Sequence, residues 1–405
     1  MTKALEDLTV LDLTQWEAGP QCSLMMAFLG ADVIKIEPPK VGDPARHFTA
    51  APLEPSVDSF YFIYFNHNKK SVTLDLDKAK GREILKEMVK KADILVENFE
   101  PGTMEKWGLT YDTLKEINPA LIYGRVSGYG SYGPYANYPG VDATIQAMSG
   151  MFTWTGWPDK PPVKSAPSIG ETAAGVNLFA GIMMALHQKV RTGKGQFVEA
   201  TQIDTAENLT RVRMSSFSEF DQMYQKEPAK RTGIGGSGQA PSNLYPTKDE
   251  GAFINFGFGR AQDQWETILK IIGHPELVGD PRFADPYVRG KHVEMVDKMI
   301  TDWTSTKGGY EAFTTFAGAG ISTGITYTST QAMNDPHVTQ RNMVVELEHP
   351  VRGKYKTLGY PAKLEKSPVE VKNAPLLGQD NEKVYTELLG YTKRDLDELK
   401  KSGVI

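Results

Sequence analysis

Short apolar runs alternate with longer apolar stretches of helical spacing through the first 130 residues of the chain. The pattern predicts a strand over 9–13, a helix over 18–29 and a second strand over 32–36. A strand, a helix and a strand in this order predict parallel pairing through a right-handed crossover. The pattern then repeats, with strands predicted over 72–76, 93–96 and 121–126, a helix capped by Asp77 and a helix over 111–117. Strands alternating with helices indicate an open α/β sheet.

The second half of the chain has the pattern of a smaller α+β domain. A polar segment over 215–230 has no clear periodicity and predicts a linker. Turn residues at 248–251 then separate two apolar segments and predict a hairpin of 244–245 with 253–256. Helices are predicted over 264–272 and 293–303, and two more in the tail, one capped by Asp380 and one after the capping-box residues Thr392 and Asp395.

One long apolar helix lies between these two regions. It begins in the stretch Pro167 to Gly175 and ends near 191–195, where basic residues and glycines give a C-terminal signal. Gly170 provides a flexible turn, so Glu171 should lie at the helix start. A carboxylate there faces the positive end of the helix, which keeps it ionised. Glu171 is therefore either a nucleophile or an ordinary first-turn acid, because acids are enriched in first turns.

Composition and charge narrow the class of protein. A chain of 405 residues with 40% hydrophobic content can form two or three domains with real cores. The net charge of −5, without long runs of like charge, favours neither a nucleic-acid-binding stripe nor an acidic tail. Cys22 is the only cysteine, which excludes an internal disulfide and a thiolate zinc cluster and fits a reducing compartment. A charged N-terminal segment and the lack of an apolar run of about 18 residues predict a cytoplasmic location.

Several common types of site lack their sequence signature. The seven histidines form no i,i+4 pair and have no acid at metal-ligand spacing, so no metal is predicted. No Gly-x-Ser-x-Gly elbow follows a strand. The first strand–helix junction, residues 16–20, has one glycine where a dinucleotide fingerprint needs three, so NAD binding is not predicted.

Two features remain candidates for ligand binding. A glycine-rich run either closes over a substrate or is a mobile connection, and it contains Gly235, Gly236, Gly238 and Gln239. Basic residues also lie beside turns near predicted strand ends, where open α/β sheets bind ligands. Each is either a solvated surface charge or part of a phosphate site; they are Lys35, Arg46, Lys69, Lys70, Lys106 and Arg125.

Longer phrases spread along nearly the whole chain carry a family resemblance. They are Ala18 to Pro20, Leu29 to Pro39, Gly42 to Arg46, Asn68 to Leu76, Glu97 to Gly102, Gly140 to Asp142, Thr192 to Gln196 and Ala374 to Gly378. On these phrases the chain resembles the class III CoA-transferases, the group that contains formyl-CoA:oxalate and carnitine CoA-transferases. The resemblance implies CoA thioesters as substrates and no permanently bound cofactor.

The resemblance also implies an architecture. Residues 1–210 and the tail would form a large Rossmann-like CoA-binding domain, joined by a linker over 211–230 to a small α+β domain over 231–330. Residues 331–405 would be a linker and a C-terminal segment that returns to the large domain. Family members form dimers of two interlocked rings, so we expect an obligate interface.

Family membership further implies roles for individual residues. Residues expected along the path of CoA are Ala18, Arg46, Lys69, Asn98, Phe99 and Lys106. The glycine run that includes Gly235 to Gln239 resembles the loop that shields acyl-enzyme intermediates from water. Asp142 is expected to have a secondary positioning role.

Two positions depart from the family pattern. The family nucleophile is an aspartate directly after the glycine that here is Gly170, whereas this chain has Glu171. The extra methylene displaces the carboxylate by roughly 1 Å, and such a misplacement can cost on the order of 100-fold in rate. Glu17 stands where formyl-CoA transferase has a glutamine, so two acids could face one pocket and raise each other's pKa.

Several functions remain open at this point. Glu171 is a working nucleophile, or the chain is one subunit of a heteromeric transferase, as benzylsuccinate CoA-transferase suggests. The chain could instead be a non-catalytic acyl-CoA-binding subunit. An α-methylacyl-CoA racemase uses a histidine where this chain has Val141, which cannot transfer a proton. The partners expected are an acyl-CoA, a carboxylic acid and a second chain, without nucleic acid or membrane.

Overall fold

The apolar runs predicted as strands form one six-stranded parallel sheet in the structure, a computed structural model that describes residues 2–48, 58–211, 231–235, 238–256 and 262–405. The strand order is β3-β2-β1-β4-β5-β6, which is the order of a Rossmann fold. These strands are β1 (Thr9–Asp12), β2 (Asp32–Glu37), β3 (Lys70–Thr73), β4 (Ile94–Glu97), β5 (Ile122–Ser127) and β6 (Phe197–Thr201). The predicted α/β fold class is confirmed.

Helices cover both faces of this sheet, as the alternating sequence pattern predicts. Those up to residue 211 are α1 (Ala18–Phe28), α2 (Phe60–Phe65), α3 (Ala79–Val89), α4 (Thr103–Trp107), α5 (Tyr111–Ile117), α6 (Asp142–Met148), α7 (Met151–Trp154), α8 (Ile169–Thr192) and α9 (Gln202–Leu209). On one face, α1 and α8 bury an apolar core that includes Met26, Val96 and Leu178. On the other face, α3 packs with the two C-terminal helices around Leu85 and Tyr385.

The remaining elements follow residue 240. Strands β7 (Leu244–Pro246), β8 (Phe253–Phe256) and β9 (Thr323–Ile325) form an antiparallel sheet, and β10 (Val344–His349) pairs with β11 (Gly353–Leu358). The helices are α10 (Gln262–Ile271), α11 (Pro286–Gly290), α12 (Val293–Thr304), α13 (Gly309–Gly318), α14 (Ser329–Asn334), α15 (Pro336–Gln340), α16 (Asn381–Leu389) and α17 (Lys393–Lys401). Short 3-10 turns lie at Pro44–His47, Pro275–Leu277 and Pro281–Phe283.

The chain divides into two units. The first contains Met1–Met151, Lys164–Asp221 and Pro336–Ile405, and the second contains Phe152–Val163 and Gln222–Asp335. The domain boundaries expected near 210, 230 and 330 stay a prediction; residues 152–163, which that prediction assigned to the large domain, lie in the second unit. The 215–230 linker prediction lies outside the described residues.

The structure corrects two predicted helix caps. Lys78, and not Asp77, is the N-cap of α3, and it makes no side-chain cap; Asp77 accepts a hydrogen bond from Trp107 instead. Asp380 is the N-cap of α16, but its carboxylate accepts from the backbone N–H of Ser71. Each carboxylate has a donor from a distant segment, which the local sequence does not reveal. The capping box of Thr392 with Asp395 is confirmed.

Helix α8 ends as its sequence predicts, at a left-handed Gly193. Among the described residues it alone is long and apolar enough to cross a membrane by length and composition. Ala174, Leu178 and Ile182 of this helix are buried in the core of the first unit. Part of its apolar character is therefore explained by packing within the chain.

Candidate active site

A crevice opens where the chain order of the large sheet reverses, between β1 and β4. Open α/β sheets bind ligands outside the carboxyl ends of the strands at such a point. A cavity of about 640 Å³ lies there, formed by the loops after β1, β4 and β5 and by the start of α8. Residues that line it include Gln15, Trp16, Ala18, Asn98, Phe99, Gly140, Val141 and Glu171. This edge of the sheet is the candidate active site.

Glu171 lies in the first turn of α8, and its carboxylate is directed at the starts of two other helices. The backbone N–H of Asp142, the first residue of α6, donates to Glu171 Oε1 at 3.4 Å. The backbone N–H of Ala18, the first residue of α1, also faces this carboxylate and acts to lower its pKa. N–H groups at helix starts have no partner within the helix and carry positive partial charge. The positive ends of three helices therefore meet at Glu171.

The Asp142 side chain in turn binds the start of α8. Its Oδ1 accepts from the backbone N–H of Gly170 at 2.8 Å and from that of Glu171 at 3.4 Å, at the start of α8. Its Oδ2 accepts from Gln146 at 2.5 Å. A side chain at position 170 would place its Cβ 3.0 Å from Asp142 Oδ1, so glycine allows this close approach. The first turns of α6 and α8 thus cap each other.

Glu17 is a second buried acid beside Glu171. It is the N-cap of α1, and its side chain accepts from the Tyr61 hydroxyl at 2.8 Å and from the Thr172 hydroxyl at 2.5 Å. Neither donor is charged, so the Glu17 carboxylate has no cation to neutralise it among these contacts. Two neighbouring carboxyl groups repel each other when both are ionised.

These surroundings make Glu171 a weaker acid than an ordinary glutamate, which corrects the expectation that the helix start keeps it ionised. Burial, followed by repulsion from Glu17, raises the pKa of Glu171 to about 7, although the N–H donors of Asp142 and Ala18 act in the opposite direction. The same acids and burial raise the pKa of Tyr61. In the part of the chain that the structure describes, no group of three or more His, Cys, Asp or Glu side chains is arranged to hold a metal ion.

Close packing of α1 against α8 brings Ala18 to Glu171. A Cβ at Gly175 would lie 2.3 Å from the carbonyl oxygen of Ala18 and 2.8 Å from Cβ of Gln21. Only glycine therefore allows the two helix backbones to approach this closely. The contact fixes the distance between the start of α1 and the first turn of α8.

Asn98 and Phe99 follow β4 and line the crevice. The Asn98 side-chain amide donates to the carbonyl oxygen of Gln15 and accepts from its N–H, both at 2.8 Å. Phe99 packs edge-on against Trp107, with 5.1 Å between ring centroids. These two residues therefore connect the loop after β1 with α4.

The three basic residues expected along the path of CoA lie in different surroundings. Arg46 is buried and forms an ion pair with Glu37 at 2.7 Å, and Lys69 is buried and forms one with Asp12 at 2.9 Å. Neither lines the crevice. Lys106 is exposed on α4 and is not among the lining residues either.

The strand-end pattern also made three further basic residues candidates for a phosphate site. Lys35 is fully buried against Asp43, and Lys70 pairs with Asp32 near the edge of the sheet. Arg125 lies beside Glu97 with 3.5 Å between Nε and Oε1, in a separate cavity of about 430 Å³. The basic residues predicted from strand ends therefore do not converge on the crevice.

The glycine run belongs to the second unit of the chain. Gly235 and Gln239 are partly buried, Gly238 has a left-handed φ of +70°, and Gly236 lies outside the described residues. Its expected role in shielding an intermediate stays a prediction.

Sequence reasoning missed the polar groups that surround the two acids. Tyr61 lies 44 residues from Glu17, and Gln146 and Thr172 carry no motif that marks them. A threonine directly after Glu171 was a weak signal, because it lies on the same first turn. Long-range contacts of this kind appear only after the fold is known.

A second cleft, of about 550 Å³, has a strongly basic lining. Its lysines are Lys40, Lys78, Lys400 and Lys401. Trp107, which packs against Phe99 of the crevice, donates to Asp77, the residue before Lys78. A short path of contacts therefore links the crevice to this cleft.

Comparison with known proteins gives a consistent result. The model of CoA-transferase family III matches residues 5–381. A formyl-CoA:oxalate CoA-transferase from Rhodopseudomonas palustris (strain BisA53) is 36% identical over 423 aligned positions, covering 100% of this chain and 98% of the relative. One from Streptomyces coelicolor is also 36% identical, with 100% and 99% covered.

Solved structures resemble the chain to a similar extent. A CaiB/BaiF family protein from Brucella suis superposes with a TM-score of 0.84 at 28% identity, over 96% of this chain and 100% of its own. The protein Rv3272 from Mycobacterium tuberculosis superposes with a TM-score of 0.79 at 27% identity, over 94% and 99%. These similarities cover both units of the chain.

Proposed function

The chain belongs to CoA-transferase family III, and on that premise we propose that it moves CoA from an acyl-CoA to a carboxylic acid with Glu171 as the nucleophile. One observation carries the proposal: the Glu171 carboxylate lies in the crevice at the meeting point of three helix starts. An ordinary first-turn acid would be solvated at the surface. Glu171 is instead partly buried, accepts a hydrogen bond from the first residue of α6 and faces the first N–H of α1.

The first exchange begins with the ionised Glu171 carboxylate. It attacks the thioester carbonyl carbon, the carbon–sulfur bond breaks, and CoA leaves as a thiolate, which gives a mixed anhydride. The thiolate then attacks the glutamyl carbonyl, the donor acid leaves, and a glutamyl-CoA thioester remains. The acceptor carboxylate attacks this thioester and releases CoA thiolate again. Attack of the thiolate on the new acyl carbonyl yields the product acyl-CoA and restores Glu171.

The N–H groups of Ala18 and Asp142 are suited to these steps. When CoA thiolate or the acceptor carboxylate attacks the glutamyl carbonyl, the oxyanion forms on a Glu171 oxygen, and preorganised backbone donors stabilise such charge. The longer glutamate side chain also keeps contact with both donors. These contacts support a working nucleophile despite the extra methylene.

A CoA thioester carries its reactive carbonyl at one end and its phosphate groups toward the other, so we assign one cleft to each. We place the thioester in the crevice beside Glu171 and the phosphate groups in the basic cleft with Lys40, Lys78, Lys400 and Lys401. Lysines bind phosphate through charge and N–H donation. The relatives named above make formyl-CoA and oxalate the first substrate pair to test.

The test is CoA transfer by the purified full chain, followed by trapping with hydroxylamine. The native chain should form oxalyl-CoA and acquire a hydroxamate at Glu171, detected by peptide mass spectrometry. Glu171→Gln should lose on the order of 1000-fold or more in rate, because nucleophile removal has costs of this size or larger. Glu294→Gln is the matched control, since Glu294 is a first-turn acid of α12. Transfer by the Glu171→Gln protein would refute the proposal.

A second candidate is a subunit of a transferase that contains two chains. Helix α8 favours association, since Val176, Met184 and Val190 are 40%, 68% and 86% exposed. Apolar side chains at this exposure are typical of surfaces that another chain covers. We infer that a second chain packs on α8. The native mass of the complex purified from its own source distinguishes a homodimer from a heteromer. If the complex contains a related chain with aspartate at the position of Glu171, Glu171 is no longer assigned as the nucleophile.

A further inference from the structure

The loop between β1 and α1 contains a strained residue at the rim of the crevice. Trp16 has a φ of 65°, in the left-handed region that bulky side chains rarely adopt. Such a conformation persists only when surrounding contacts enforce it. The next two residues supply the Glu17 carboxylate and the Ala18 N–H that face Glu171. The shape of this loop therefore determines where both groups lie.

A buried ion pair holds the loop from below. Lys35 and Asp43 are 0% and 1% exposed, and 2.9 Å separates Nζ from Oδ2. Lys35 Nζ also donates to the carbonyl oxygen of Thr14 at 2.8 Å. Asp43 Oδ1 accepts from the N–H of Trp16 at 3.2 Å. The pair thus binds the backbone on both sides of Gln15, whose own N–H and carbonyl oxygen are bound by Asn98.

A gain in stability does not by itself explain a buried ion pair of this kind. Two charges removed from water lose hydration, and replacing a buried pair by apolar residues is often neutral or stabilising. Here Lys35 and Asp43 each also bind the backbone of the same three-residue segment, residues 14–16. The pair is therefore arranged to fix the conformation of residues 14–16.

We propose that Lys35 and Asp43 are positioning residues, which hold the loop so that Glu17 and the Ala18 N–H face Glu171. The inference rests on the proposed function and adds to it two residues that do not touch the substrate. Asp43 Oδ1 also accepts from the N–H of Ala45 at 2.9 Å, so the same carboxylate caps the 3-10 turn at Pro44–His47 and is held in place by it.

The test uses a double variant, Lys35→Met with Asp43→Asn, which leaves no unpaired buried charge. The control is Lys189→Met with Asp93→Asn, an ion pair with 2.8 Å between Nζ and Oδ1. It joins the last turn of α8 to the residue before β4, at the opposite end of that strand from the crevice. Lys35→Gln keeps an N–H donor and is the second variant if the double variant does not fold. For each protein, kcat, KM for the acyl-CoA and the thermal midpoint are measured.

The double variant should lose about 10- to 100-fold in kcat with KM unchanged, because a displacement near 1 Å costs on the order of 100-fold. Lys35→Gln should lose less. The control should lose thermal stability but keep its kcat. A double variant that is less stable but keeps the native kcat would overturn the inference and leave the pair a structural role.

A second readout does not need turnover. Carbodiimide labelling of Glu171 is measured as a function of pH, which gives the midpoint of its titration. This midpoint depends on how Glu17, Asp142 and Tyr61 surround the Glu171 carboxyl group. Native protein should show a midpoint near 7. In the double variant the midpoint should move toward the ordinary glutamate value, since Glu17 would be displaced. An unchanged midpoint would contradict the inference. If the native chain transfers no CoA, the proposed function fails, and the labelling midpoint alone decides the role of the pair.

Discussion

The Glu171 side chain combines requirements that oppose each other. A nucleophilic carboxylate must be ionised, yet burial and the neighbouring Glu17 favour its protonated form. The N–H groups of Asp142 and Ala18 offset part of this effect. With a pKa of about 7, the carboxylate is poorly solvated and only partly ionised at neutral pH, and the ionised form is the one that attacks a carbonyl carbon.

The raised pKa of Glu171 predicts a pH-dependent stability cost. The folded chain holds this proton up to about pH 7, whereas the unfolded chain releases it near its ordinary pKa of 4.5. Between these values the folded state binds more protons, so stability falls as pH rises, and the cost is complete above about 7. Glu171→Gln removes the charge and should stabilise the protein at pH 8 by up to about 3 kcal/mol.

Thermal unfolding at pH 5 and pH 8 checks this expectation. The difference between Glu171→Gln and the native chain should be small at pH 5 and large at pH 8. Glu294→Gln, which changes a first-turn acid of α12, should show no such dependence. Equal effects of Glu171→Gln at both pH values would show that Glu171 is not held in a destabilising site.

At the scale of elements, three helix starts converge although only one was predicted to carry chemistry. The apolar period and Gly170 identified the start of α8, and the strand–helix pattern identified α1. Helix α6 follows a turn-rich segment, and no local pattern pairs its first residue with Glu171; only the family resemblance implied a positioning role for Asp142. The carboxylate of Asp142 makes that pairing through contacts 28 residues along the chain.

Substitution of glycines on α8 tests how strongly the packing of this helix controls the rate of CoA transfer. Gly175→Ala would place a methyl group 2.3 Å from the Ala18 carbonyl oxygen, so α1 and α8 must separate. We expect a loss of about 1–3 kcal/mol in stability, the usual cost of overpacking. The rate of CoA transfer should fall at least about 10-fold, because the Ala18 N–H moves away from Glu171.

Gly181→Ala is the matched control on the same helix. The added methyl group would lie 2.8 Å from Cγ1 of Val198 on β6, away from the crevice. It should lower the thermal midpoint but leave kcat unchanged. A similar loss of kcat in both variants would mean that general loosening of α8, and not the position of Ala18, controls the reaction.

At the scale of the whole molecule, the sequence predicted the parallel sheet well because its strands are short apolar runs between clear helices. It did not predict β6, whose residues 197–201 are only partly apolar and follow directly on a helix stop. A lysine or arginine at a strand end can bind a ligand or form an internal ion pair, and Lys35, Arg46 and Lys69 form ion pairs. Burial, and not sequence position, separates these two uses.

The basic cleft gives the last prediction, because its lysines come from three distant parts of the chain. Lys40 follows β2, Lys78 precedes α3, and Lys400 and Lys401 end α17. Lys400→Gln with Lys401→Gln should raise KM for the acyl-CoA several-fold and leave kcat unchanged, since the phosphates lie far from the reacting carbonyl.

Screening by salt distinguishes this effect from a structural one. The rise in KM should shrink at high ionic strength, where exposed charges interact weakly. Lys383→Gln with Lys393→Gln removes the same charge from exposed positions outside the cleft and should leave KM unchanged. If both double variants raise KM equally, overall charge attracts the substrate and the cleft is not its phosphate site. If neither does, the nucleotide end of the acyl-CoA binds elsewhere, and only the crevice beside Glu171 is retained.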